Sequence, residues 1–134
     1  MIRVQRYAKG RRAKKRIEEL LEKLREGSVI VEGAHDVKVM AKLGVTAIPY
    51  SKVVSLHGTG VDLKKSVYLL TDSDRGGEEK KEKLKSALLT LDSGCKINED
   101  IGRHLLKMLN ATSVEQIYGP ILRIIEEGEE EKRR

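Results

Sequence analysis

Apolar residues in this chain come in short blocks that alternate between a helical and an extended spacing. Ile17, Leu20, Leu21 and Leu24 stand at i, i+3, i+4 and i+7. They mark one face of a helix from Arg11 to Glu26, which Gly27 closes. Ile17 to Leu24 are expected to dock on a core, with Arg3 to Arg16 projecting from it. Ser28-Val29-Ile30-Val31-Glu32 has an unbroken apolar centre, as a parallel strand covered on both faces would, and Gly33 breaks it. Asp36 to Leu43 predicts a helix with Val37, Met40 and Ala41 inward and Gly44 as its stop. Val45 to Ile48 predicts a second strand and Pro49 to Lys52 a turn. Val53-Val54-Ser55-Leu56 predicts another strand or a continuation of the second, and His57 to Gly60 a glycine-flanked loop.

Val67 to Thr71 is the next extended run, followed by a helix from Gly77 to Leu91 with Leu84, Ala87, Leu88 and Leu91 on one face. Cys95 to Ile97 suits a short edge strand. Asn98 suits the N-cap of a helix that buries Ile101, Leu105 and Met108. Thr112 or Ser113 suits the cap of the last helical region, and Pro120 divides that region or begins its final part. Gly128 to Arg134 reads as a charged, frayed tail. Alternating strands and helices imply an α/β fold, a Rossmann-like and mostly parallel sheet with helices on both faces. It divides into a basic N-terminal arm and helix over 1–27, an α/β core over 28–97, and a C-terminal helical extension over 98–134.

Composition narrows the function. The 134 residues suit one domain, with no Phe or Trp and four Tyr, which disfavours an aromatic platform for stacked bases. A charged fraction of 36% leans toward a hot-adapted source. The single Cys95 excludes an internal disulfide and a cysteine-based zinc cage. There is no secretory apolar region and no run near the roughly 20 residues needed to span a bilayer, so a soluble, cytoplasmic protein without membrane partners is expected. Residues 1–26 carry ten basic groups against four acidic ones, so the whole net charge of +6 sits there. Charge so concentrated favours a nucleic-acid partner, with Arg11, Arg12, Lys14, Lys15 and Arg16 as backbone contacts. A disordered solubility arm is the plainer alternative.

Two predicted strands end in carboxylates: Glu32 after the first, Asp72 and Asp74 after the later one. In open α/β sheets ligands bind beyond the carboxyl ends of strands, so if these strands are neighbours the three acids converge. Hard oxygen ligands of this kind suit Mg²⁺, which is commonly held by one or two carboxylates, waters and substrate phosphate. Glu32 would complete the shell or act as general acid or base. Gly76 and Gly77 leave room for a phosphate at a helix N-terminus, with Arg75 to neutralise it. Asp-x-Asp alone is more often a solvated turn or a cap, Glu32 alone could be a strand-end acid paired with a lysine, and Glu78, Glu79 and Glu82 could form a solvent face with pairs such as Glu79–Lys83.

Val31-Glu32-Gly33 with Asp36, then Leu70-Thr71-Asp72-Ser73-Asp74 followed by Gly77, resemble the signature of the Toprim domain. Type IA topoisomerases, bacterial-type primases, OLD-family nucleases and the nucleases that mature 5S ribosomal RNA share that domain. The likeness covers about residues 28 to 95. Thr71 to Glu78 is similar to the topoisomerase form of the second motif, where a proline usually stands at Ser73 and a glutamate at Gly76. His57 to Gly60 resembles a segment that primases carry between the acidic motifs. The resemblance implies that Asp72 and Asp74 bind Mg²⁺, with Mn²⁺ as a substitute. It implies Glu32 as metal ligand or catalytic acid/base, and Glu78 and Asp36 as possible additional acids. A topoisomerase needs a nucleophilic tyrosine on a further domain and a primase needs a zinc module, and neither fits this chain. The expectation is a standalone Toprim protein, a Mg²⁺-dependent nuclease with a mild preference for RNA over DNA. The alternative is a non-catalytic nucleic-acid-binding or assembly module. Ile117, Ile121, Leu122, Ile124 and Ile125 would then form a homodimer or protein-partner face.

Overall fold

The computed structural model describes residues 10–54, 63–71, 75–91 and 94–133. Four strands, β1 (Ser28–Val31), β2 (Ala47–Pro49), β3 (Ser66–Leu70) and β4 (Lys96–Asn98), form a sheet in the order β2-β1-β3-β4. All three pairings are parallel. The helices are α1 (Gly10–Glu26), α2 (Ala34–Lys42), α3 (Tyr50–Val54), α4 (Arg75–Leu91), α5 (Asp100–Met108) and α6 (Tyr118–Arg133), with a 3-10 turn at Val114–Gln116. The α/β class and parallel sheet expected from the sequence are thus present. No helix among the described residues is long and apolar enough to cross a membrane.

The pleat sends alternate side chains to opposite faces, and each face has its own core. Val29, Val31 and Leu70 join Ile17, Leu20, Met40, Leu105 and Ile121 under α1, α2, α5 and α6. Ile30, Val67 and Leu69 join Val53, Leu84 and Leu88 under α3 and α4. Every apolar residue of β1 is therefore buried, which explains its unbroken apolar run. From β1 the chain crosses to β2 on one side, then returns to β3 on the other. The order reverses between β1 and β3, the point at which open α/β sheets bind ligands beyond the carboxyl ends of their strands.

Several expectations shift. Val53-Val54 is not a strand: Tyr50, Val53 and Val54 stand at i, i+3 and i+4 on the short helix α3, and Val53 is fully buried. Residues 55–62 lie outside the described residues. The second strand starts at Ala47 and includes Pro49. On α2 the buried stripe is Asp36, Val39, Met40 and Leu43, again i, i+3, i+4, i+7, while Ala41 is exposed. The stripe was hidden because its first member is charged.

The first and last described helices, α1 and α6, pack on each other, which the sequence does not suggest. Ala13 is buried, and Lys14 Nζ lies 2.7 Å from Glu18 Oε1 and 3.0 Å from Glu129 Oε1 of α6. Residues 10–16 therefore lie along α6 as part of α1 and do not project. Gly128 is buried because the Lys14 stem occupies its side-chain space: a Cβ there would stand 2.5 Å from Lys14 Cδ. Helix α6 runs on to Arg133, so 128–133 is helical, not frayed. Pro120 sits in the first turn of α6, where its missing N–H costs nothing. Ile117, Ile121 and Ile124 are fully buried in this chain's own core. They are not a free partner face, and of the five residues expected to form one only Leu122 is exposed, at 38%.

Candidate functional site

Strands β1 and β3 are paired with Val31 opposite Leu70. One residue further on, Glu32 and Thr71 therefore leave the sheet side by side at its reversal point. By the pleat they share the face of Ile30 and Leu69, beneath α4. From α4, Lys80 Nζ reaches to 2.9 Å from Glu32 Oε1, and the Glu32 side chain is only 12% exposed. The sequence reading that Glu32 could pair with a lysine is met by this contact. Which lysine was not legible, because Lys80, Lys81, Lys83 and Lys85 crowd one helix.

Thr71 is 6% exposed, and among the described residues its Oγ1 has no hydrogen-bond partner. An unmet buried polar group costs about 1–3 kcal/mol, so a partner for this hydroxyl would be favoured at the end of β3. Asp72 and Asp74 lie outside the described residues, and so does the side chain of Arg75, which opens α4. Among the described residues, no three His, Cys, Asp or Glu side chains are grouped to hold a metal ion. What the described part offers a Mg²⁺ ion is one shielded carboxylate, Glu32, next to the strand end that leads directly into Asp72.

Asp36 serves as a cap. Its Oδ2 accepts the Gly33 N–H at 3.3 Å, the backward half of a capping box at the start of α2. Burial pushes its carboxyl up from the ordinary 3.8, the Gly33 N–H opposes this, and the charges of Glu115 and Glu32 push further upward. Asp36 therefore feels the Glu32 charge while bonding to its own helix.

Glu78 belongs to a different cluster. It pairs with Lys81 at 2.9 Å, and Lys80 points to Glu32 from two residues, roughly 200°, further around the helix. Glu99, immediately after β4, draws together Lys85 at 2.5 Å, Arg103 at 2.7 Å and Lys81 at 3.9 Å. The Lys85 hydrogen bond holds the Glu99 carboxyl below its ordinary 4.5. Lys81 is buried at 7% exposure. The expected Glu79–Lys83 pair does not form; Glu78–Lys81 and Glu82–Lys85, both i, i+3, form instead. This network was missed because it needs β4 and α5 beside α4, which no local spacing reveals.

On α1, Arg11, Arg12 and Lys15 are exposed. Arg16 lies 3.4 Å from Glu19, and Lys14 is held by Glu18 and Glu129. The described basic face therefore presents Arg12 and Lys15 outward, with Arg11 exposed beside them and Lys14 and Arg16 partly neutralised. Residues 1–9 lie outside the described residues.

No family model matches the chain. A UPF0292 protein of Pyrococcus horikoshii is 39% identical over 121 residues, spanning 82% of this chain and 87% of that one. A UPF0292 protein of Thermococcus kodakarensis is 34% identical over 122 residues, 83% of this chain and 87% of the relative. A solved structure of a protein from Aquifex aeolicus is similar with a TM-score of 0.57 and 29% identity, covering 75% of this chain and 97% of that one. Identity at this level over most of both sequences shows that the chain belongs to the UPF0292 family.

Proposed function

We propose that this protein is a Mg²⁺-dependent phosphodiesterase acting on nucleic acid, built on a Toprim-type core, with structured RNA as its first candidate substrate and the cytoplasm as its place of action. The observation that carries this reading is the position of Glu32: a shielded carboxylate at the end of β1, in register with the end of β3, at the point where strand order reverses. Glu32, Asp72 and Asp74 would hold the ion, which supplies Lewis-acid polarisation of a phosphoryl oxygen and an acidified water. Glu32 would alternatively take or return a proton at that phosphate. Lys80, already on Glu32, can orient its carboxylate. Arg11, Arg12 and Lys15 would meet backbone phosphates along α1.

A second reading has one observation in its favour. Lys80 neutralises Glu32 within the chain, as it would in a nucleic-acid-binding module that performs no chemistry.

The two separate in one experiment. The protein is incubated with labelled structured RNA, single-stranded DNA and duplex DNA, each with Mg²⁺, with Mn²⁺ and with chelator. Cleavage that needs the metal supports the enzyme. Salt-sensitive binding without cleavage of any substrate supports the module and removes the enzyme.

A further inference from the structure

Beyond the carboxyl ends of β3 and β4, a cleft of about 340 Å³ opens between α4 and α5. Its volume is within the range of small-molecule sites, roughly 300–1,000 Å³. Leu69, Leu106 and Ala111 give it apolar walls, and Thr71 stands in it with the unpartnered hydroxyl. Most of its charges are already matched: Glu78 by Lys81, and Glu99 by Lys81, Lys85 and Arg103. Lys107, one turn on from Arg103, also lines the cleft and is exposed, with no ion pair among the described residues. The cleft thus combines apolar surface with a hydroxyl and a positive charge that have no partner among the described residues.

We infer that this cleft binds a single nucleotide unit, the base between Leu69, Leu106 and Ala111 and the phosphate at Lys107 and Arg103. A base supplies an apolar face for the walls and a polar edge that can satisfy Thr71 and Asn110. Its phosphate supplies the charge that Lys107 lacks. The cleft adjoins the candidate metal site, because Thr71 lies beside Glu32 and the consecutive residues Lys80 and Lys81 face the two. A polynucleotide whose scissile phosphate sat at Glu32 could therefore place a neighbouring nucleotide here. Only this role as a flanking subsite rests on the proposed nuclease reading; mononucleotide binding does not.

The full chain is titrated with each of the four ribonucleoside 5′-monophosphates in chelator and followed by amide NMR. The inference expects saturable shifts at Thr71 and Ala111. It expects Lys107→Glu to weaken binding roughly tenfold or more and Ala111→Leu to abolish it. Lys107 is exposed, so its variant tests the inference even where Ala111→Leu does not fold. The inference is overturned if no mononucleotide shifts these residues at about 10 mM, or if inorganic phosphate alone gives the same shifts at the same affinity. It is also overturned if Lys107→Glu binds as tightly as the parent. Mononucleotide binding without cleavage of any nucleic acid would keep the cleft and remove the nuclease. Cleavage without mononucleotide binding would do the reverse.

Discussion

Lys80 Nζ lies 2.9 Å from Glu32 Oε1 and ties α4 to the end of β1, across the mouth of the sheet. The glutamate is shielded and the lysine half-exposed, so the pair is neither a surface ornament nor a fully desolvated ion pair. Lys80→Met should cost about 1 kcal/mol, the upper end for a partly exposed pair, with a smaller loss at high salt. Denaturant titrations at two ionic strengths read this out. Unchanged stability at low salt would mean that the lysine does not hold Glu32 in solution.

Asp36 makes a pH-dependent contribution with a defined sign. Its carboxyl is raised by burial, so the folded protein holds this proton more tightly than the unfolded chain does. The stabilisation is complete below the ordinary aspartate value and is lost as pH rises through the raised one. Asp36→Asn keeps an oxygen acceptor for the Gly33 N–H and removes the charge. The variant should match or exceed the parent in stability at neutral pH, with the difference shrinking as pH falls toward 3.8. A variant that loses the same stability at every pH would refute the assignment.

Gly102 marks the closest approach of α5 to the sheet. A Cβ there would clash with the Leu69 backbone oxygen and stand 2.7 Å from Leu70 Cδ1. Backbone cannot yield as a flexible side chain can, so Gly102→Ala should destabilise by about 1–3 kcal/mol. Gly119→Ala, where nothing lies within 4 Å of an added Cβ, is the control. Equal effects from the two would contradict the packing described for α5.

The limits of legibility follow from the same residues. Strand β1 was readable because burial on both faces leaves an unbroken apolar run, and α1 because its apolar stripe has no polar member. The stripe on α2 was misassigned because Asp36 is a buried cap. The short α3 was misassigned because two adjacent valines resemble a strand when Tyr50 is left out of the count. Of the site, the placement of Glu32 at a strand end was readable from local sequence. Its neighbour Thr71 follows from the pairing of β1 with β3, and the Glu99 cluster from the reach of the α4 lysines to the junction of β4 and α5. Those contacts join residues far apart in the chain, and no local periodicity encodes them.

On the proposed nucleic-acid face of α1, Arg12→Gln with Lys15→Gln should lower affinity for RNA and flatten its salt dependence. Removing two phosphate contacts reduces the log–log slope by about 1.4–1.8. Binding measured from low to moderate salt checks this, and an unchanged slope would remove α1 from the interface.

The most direct test of the central claim is metal-dependent cleavage of structured RNA by the parent, by Glu32→Gln, and by Asp72→Asn combined with Asp74→Asn. RNA binding is measured alongside to show that each variant still engages its substrate. The account predicts cleavage by the parent in Mg²⁺, none in chelator, and a loss of at least about 100-fold in each variant with binding retained. Cleavage at parental rates by the double variant would contradict it.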